Sequence, residues 1–441
     1  MTRPPRARRR AHAAWAVYFV VAASATAASG QAIDVEQPST LVVGSPSGGA
    51  RMDRVNGART GLARTTLPTS GLHVEWEASL GVQTEQAPLV DSRGGIYVVG
   101  ARGEVVMLAR DGTERWRVAT AGSRPSPAAL LSDDTVVFVE TTSAGGSAVG
   151  VRDGRVTWRT HVGRGEAAPP SPLATDDGGV VVATGGDLAI LDAQGRERSR
   201  TTLGEMIAMP LISAVGRVVA VTGTGVVWTW IPGAPEPVRV ASFGSAVDGS
   251  AALVDDHTLL AVTSGRTHLT AVDLVSGAVT TRASSHGALW SGSPAIRGSL
   301  STMVAVTPAS ELGIVLDPTG REIARAVLEV RNLPSGTDAG AAAFLPASPT
   351  PGVVDSSGTF VFATAEGRLG VAPQMTAGDG TVELLATPCP QPVGVAGAKG
   401  ASPVAGIAPL SEGAFVATCR SGAVLAVVGA SSSGESRPQH L

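Results

Sequence analysis

Apolar and polar positions along this chain alternate in bursts short enough to be β-strands, and the bursts recur in a fixed order. A small residue precedes Pro. Apolar residues follow, then a polar Gly/Asp turn, a β-branched run and an Asp-Gly turn. In the copy that starts at Ala87-Pro88, Pro88-Leu89-Val90 predicts an inner strand and Asp91-Ser92-Arg93-Gly94-Gly95 a turn. Ile96-Tyr97-Val98-Val99 predicts a buried second strand, and Glu104 to Ala109 a third. Asp111-Gly112 supplies a hairpin turn that needs positive φ, and Glu114 to Val118, carrying Trp116, a fourth. The small-residue–Pro step returns at Ser126-Pro127, Ser171-Pro172, Met209-Pro210, Ser293-Pro294, Thr350-Pro351 and Ser402-Pro403. Ser250-Ala251 fills the gap with the Pro lost. These are eight copies, most of them roughly 40 residues apart, and a period of that length in strand-rich sequence is the mark of a propeller or a related array.

The predicted fold is therefore all-β: an eight-bladed β-propeller of four-stranded antiparallel blades. An outer-strand Trp recurs at Trp76, Trp116 and Trp158 and is lost near Ser199. The stretch His73 to Leu80 reads as a fourth strand lacking its first three. The last copy, Ser402 to Val428, reads as three strands lacking a fourth. Joining them closes the ring, with the N-terminal strand completing the last blade and removing edges that would otherwise aggregate. Residues 71–430 form the expected propeller. Leu328 to Pro349 is longer than a blade connection needs and predicts a surface insertion.

Outside the repeat, residues 1–32 read as a signal peptide. Arg3, Arg6, Arg8, Arg9 and Arg10 precede the apolar run Ala13 to Ala23, and small-residue cleavage positions follow at Ala25-Thr26-Ala27 and Gly30-Gln31-Ala32. The apolar run is short for a membrane span, so an uncleaved anchor is the alternative. No Cys near the cleavage positions could carry a lipid. Residues 33–70, rich in Ser, Gly, Pro and Thr, predict a flexible linker, and residues 431–441 a disordered tail. Removing the signal takes the formal net charge from −3 to −8, and Lys399 is the single Lys of the chain. Such a surface suits neither nucleic acid nor an anionic membrane. The two cysteines, Cys389 and Cys419, predict one disulfide in an exported, periplasmic or extracellular protein, with two unpaired buried thiols as the alternative.

Thr270 to Val279 (TAVDLVSGAV) and Leu108 to Trp116 (LARDGTERW) resemble the pyrroloquinoline-quinone-type repeat of β-propellers. Asn56-Gly57-Ala58-Arg59-Thr60-Gly61 resembles the lead-in that such proteins carry before their first blade. The resemblance spans about residues 56–430 and implies one of two branches. Quinone-dependent dehydrogenases hold the cofactor on the ring axis with an adjacent-cysteine disulfide, a stacking Trp and a calcium bound by Glu, Asn and Asp. This chain has no adjacent cysteines, and its only Asn residues, Asn56 and Asn332, lie outside the blade cores. The other branch, the BamB-like factors of outer-membrane barrel assembly, has eight blades and no cofactor, and the chain resembles it more.

Chemistry-bearing motifs are sparse. No Gly-x-Ser-x-Gly elbow, His-Glu-x-x-His helix or phosphate loop occurs. Gly163 to Ala168 mimics a dinucleotide turn but opens a strand. Asp255-Asp256-His257 reads as a solvated turn, and so does Asp176-Asp177-Gly178, with a calcium site as the alternative there; His286 and Trp290 are candidates to face the axis. Residues just before each inner strand should ring one mouth of the channel: Glu85, Arg124, Glu166, Glu205, Asp248, Trp290 and Lys399. They suggest an acidic funnel with an aromatic wall, suited to a cationic or peptide partner, with an ordinary solvated rim as the alternative. The expectation is a monomeric, non-catalytic scaffold for protein–protein interaction in the cell envelope. It uses no cofactor and meets a membrane only through its partner or an uncleaved signal. A quinone-dependent enzyme and a ligand-sensing module are the alternatives.

Overall fold

The computed structural model describes residues 50–330 (apart from 53, 57, 122–123, 166–168, 209–210, 215 and 308), 352–373, 375, 382–385, 389 and 403–431. The expected signal peptide, the start of the linker, most of the expected insertion and the tail beyond 431 lie outside them. Every regular element among the described residues is a β-strand, and none of these residues forms a helix long and apolar enough to cross a membrane.

The strands form eight four-stranded antiparallel sheets, the blades of a closed propeller. Seven blades are consecutive in sequence. Blade one, for example, runs Leu89–Val90, Ile96–Val99, Glu104–Leu108, Glu114–Ala119, from the axis outward. Blades two to seven occupy residues 129–163, 173–202, 212–242, 247–284, 289–330 and 353–384. Burial follows position in the ring. Second strands such as Val180–Thr184 and Phe360–Ala363 are buried at every residue, because both faces of the sheet pack on neighbouring blades. That is why they read as continuous β-branched and aromatic runs rather than alternating ones. The fourth strand of blade one, with one face free, alternates more exposed with less exposed residues.

Blade eight closes the ring. Its order from the outside is Pro68–Ser79, Ala423–Ser431, Ala414–Cys419, Val404–Ser411. The N-terminal strand pairs antiparallel with Ala423–Ser431, from His73 opposite Val428 to Ser79 opposite Ala423. The expected disulfide joins this blade to the segment after blade seven. Cys389 and Cys419 are bonded, with Cα atoms 5.5 Å apart, and both are buried. In the chain-entropy model a crosslink of this span contributes about 3–4 kcal/mol.

Asp-Gly hairpin turns repeat one electrostatic arrangement. Thr113 Oγ1 donates to Asp111, the Ser276 N–H to Asp273 and Thr319 Oγ1 to Asp317, each at 2.6 Å. These bonds, the largest cause in each turn, hold the carboxyls below their ordinary 3.8. A carboxyl whose folded value is depressed contributes stability above its unfolded value and loses it as pH falls through the folded one.

Two predictions follow from this architecture. Deleting residues 68–79 should leave Ala423–Ser431 as an unpaired edge and yield insoluble protein; a soluble, monomeric, cooperatively melting deletion would refute closure by that strand. The melting temperature should stay level from about pH 8 to 5 and fall below about pH 4, and a curve level to pH 2 would show that the turn carboxylates contribute nothing.

Candidate functional site

The ring axis is not an open channel. Residues 50–67, expected to belong to a flexible linker, instead run among the inner strands of the blades, with Ala50, Met52, Val55, Ala63 and Leu67 buried. Val90 of blade one donates its N–H to the Ala50 carbonyl (2.8 Å) and Leu130 of blade two to Arg51 (2.7 Å). Leu253 of blade five donates to Ala58 (3.0 Å), Ile296 of blade six to Thr60 (2.8 Å) and Val354 of blade seven to Gly61 (2.9 Å). Gly413 of blade eight donates to Thr66 (2.9 Å). So short a segment can touch blades on all sides of a ring only from its axis. The linker expectation came from composition alone. What composition does not show is that inner strands leave N–H groups facing the axis that need acceptors.

The small-residue–Pro steps explain the two arginines of this plug. Pro has no N–H, so such a step turns carbonyl acceptors, and few donors, toward the axis. A guanidinium offers five donors in a planar fork and complements that lining. Arg59 is 0 % exposed. Its Nε donates to the Leu211 carbonyl of blade four (2.9 Å), and its Nη2 to the carbonyls of Pro172 (2.8 Å) and Ser171 (3.4 Å) beside blade three. Arg54, also buried, donates to the carbonyls of Ser293 and Pro294 in blade six, and its Nε to the Arg59 carbonyl (3.3 Å). Arg54, Val55 and Arg59 have φ of 60°, 74° and 57°, a left-handed backbone that non-Gly residues adopt at a cost. Asn56 secures the loop: its Nδ2 donates to Thr60 Oγ1 (2.6 Å) and its Oδ1 accepts from the Thr60 N–H (3.2 Å).

The predicted mouth residues are not brought into one funnel. Glu166 and Lys399 lie outside the described residues. Glu85 is exposed, 3.8 Å from Arg420, and Arg124 is exposed at φ 50°. Glu205 accepts from Thr224 Oγ1 (3.2 Å) and Asp248 from the Arg266 N–H (3.1 Å), so each braces a neighbouring turn. Trp290 is a correction. It is 3 % exposed and packs with Leu260, Ile296 and Met303 in the core rather than walling the mouth. The inner strand of blade six, Leu289–Arg297, begins before the Ser293-Pro294 step, which places Trp290 within the sheet. His286 lines surface clefts between blades five and six, not the axis.

The polar turns are structural. Burial raises the Asp255 carboxyl, but N–H bonds from His257 and Thr258 outweigh it and hold the group below the ordinary range. Asp177 is lowered in the same way by Thr175, Arg198 and Gly179 against burial, while burial and the charge of Asp177 raise Asp176. Among the described residues no three His, Cys, Asp or Glu side chains gather as a metal would require.

A family model described as outer membrane protein assembly factor BamB matches residues 64–283, about half of the chain. This is a BamB-like propeller. No curated protein matches it in sequence, but the fold has many solved counterparts. The BamB-like ring is similar to BamB from Moraxella catarrhalis (15 % identity, TM-score 0.55, covering 81 % of this chain and 100 % of that one). It is similar to a computationally designed protein (14 %, TM-score 0.58, 83 % and 99 %). It is also similar to a quinohemoprotein alcohol dehydrogenase from Pseudomonas putida (10 %, TM-score 0.60, 90 % and 82 %). At such identities the likeness concerns the fold alone.

Arg54 and Arg59 were missed as functional residues, although the lead-in motif Asn56 to Gly61 marked the place. Arg59→Ala should destabilise the ring by on the order of 3 kcal/mol, since it strands several buried carbonyls and leaves a cavity. Arg59→Lys should recover only part, because one ammonium cannot span two blades. Denaturant unfolding checks both, and a loss under about 0.5 kcal/mol for Arg59→Ala would show the plug to be incidental.

Proposed function

We propose that this chain is an exported, non-catalytic propeller scaffold that presents its loops to a protein partner in the cell envelope. The observation that carries the reading is the plug. Quinone-dependent propeller enzymes keep their cofactor on the ring axis, and here the axis carries residues 50–67, held by Arg54 and Arg59. The residues present do not fit a quinone and its calcium: the chain has no adjacent cysteines, and the described residues offer no cluster of metal ligands. The structural likeness to alcohol dehydrogenases, at 10 % identity, supports no chemistry. The family match supports an assembly role, and the Cys389–Cys419 disulfide supports an oxidising compartment outside the cytosol. A surface with one Lys and a formal charge of −3 favours a protein partner over nucleic acid.

The test pairs two assays on the full-length chain. Affinity capture from the native cell envelope should recover a specific protein at stoichiometric amounts. Incubation with pyrroloquinoline quinone and calcium should leave dye-linked alcohol oxidation at background. Turnover above background would overturn the scaffold reading and restore the enzyme.

A further inference from the structure

The outer wall of the ring is asymmetric. On one side, an indole from each outer strand locks onto the hairpin turn of the next blade. Trp76 of blade eight covers Gly112, Trp116 of blade one covers Gly154, and Trp158 of blade two covers Gly195. These glycines have φ of +83°, +70° and +75°, and their missing Cβ leaves room for the ring. The Trp76 Nε1–H donates to the Arg110 carbonyl (2.9 Å) and that of Trp158 to Ala193 (3.2 Å). Each clamp covers apolar surface, and those of Trp76 and Trp158 also satisfy a turn carbonyl.

Between blades four and five the clamp is missing. The outer strand of blade four, Val238–Ser242, has no Trp, and a cleft of about 430 Å³ lies between it and the turn 274–277. Ile231, Val238 and Val275 line the cleft and are 50 %, 61 % and 68 % exposed. Arg217 and Arg239 line it too, and neither has an ion pair or side-chain hydrogen bond among the described residues. Glu236, in the same cleft, pairs with neither. This differs from the outer strands of blades one, three and six, where Arg117, Arg200 and Arg325 each pair at 2.6–2.7 Å with the Glu three residues earlier. Those charge pairs guard the edges against strand addition, whereas the edge of blade four carries a single charge, Arg239, and two valines.

We infer that this cleft is a docking site for an extended segment of a partner protein, bearing an aromatic side chain flanked by carboxylates. The aromatic ring would lie against the exposed Ile231, Val238 and Val275 that line the cleft. The flanking acids would pair with Arg217 and Arg239, and the backbone would add to the open edge of Val238–Ser242. The chain itself shows that such a segment suits a propeller wall, for Glu75-Trp76-Glu77 sits in the strand that closes blade eight. The inference rests on the scaffold reading and names the chemistry of the partner.

The probe is a fluorescein-labelled peptide copying residues 72–80, Leu-His-Val-Glu-Trp-Glu-Ala-Ser-Leu, titrated with the full-length chain by fluorescence polarisation. Saturable binding is expected, weakened at least roughly ten-fold when the peptide Trp becomes Ala. Arg239→Glu and Val238→Asp, both at exposed positions, should weaken it as much while leaving the melting temperature unchanged. A peptide with both Glu replaced by Lys should regain binding to Arg239→Glu. Absence of saturable binding, or full-strength binding to both variants, would overturn the inference. Envelope capture that persists without peptide binding would reject the cleft and leave the scaffold reading standing; turnover with quinone and calcium would reject the scaffold itself.

Discussion

Two guanidinium groups solvate the carbonyls that the inner strands turn toward the axis, and the centre of the ring depends on that contact. A propeller must bring the inner edge of every blade together, where backbone groups crowd with no further strand to pair them. Left dry, each unpaired group would cost on the order of 1–3 kcal/mol. The steps at Ser171-Pro172 and Ser293-Pro294 reduce the donors at this edge and leave acceptors. Arg54 and Arg59 supply the matching donors, and the carbonyls of Ala50, Arg51, Ala58, Thr60 and Gly61 accept from the inner-strand N–H groups that remain. The same contact holds the lead-in segment on the axis, and the proposed scaffold role rests on that placement.

The outer wall obeys a different constraint. There each sheet ends in an edge strand, and neighbouring blades must be tied together against solvent. Blades eight, one and two do this with Trp, while blade five uses Arg282, whose guanidinium reaches the Pro318 carbonyl of blade six (2.7 Å). Blade four has neither, and its Val238–Ser242 edge borders the cleft lined by Ile231, Val238 and Val275; the outer strands of blades three, six and seven also lack a Trp. A ring so unevenly clamped can keep its closed core while leaving one stretch of wall available for contact, because core burial and rim contacts are separate sources of free energy.

The blade grammar was legible residue by residue because it is local. The alternation of turn and strand residues around Asp91, Gly103 and Gly112 prescribes one hairpin after another, and the Trp spacing marks the outer strands. The closure was legible too, since a lone strand around Trp76 and three strands after Ser402 complement each other only in a ring. The candidate site was much less so. Trp290 reads as a mouth residue if the inner strand is taken to start at its Pro step, but pairing with Ala305 draws it into the sheet. Residues 50–67 have the composition of a linker, and nothing in their order says that each carbonyl will meet a different blade.

What the amino-acid order alone determined is the all-β repeat, its number of blades, the closing strand and the pairing of Cys389 with Cys419, because each follows from patterns within a few dozen residues. Only the tertiary structure decided where the lead-in segment goes, which carboxylates brace turns and which junction stays open. Those outcomes depend on groups far apart in the chain, such as Arg59 and Leu211, and the sum of axial donors and acceptors exists only once all the blades stand in a circle.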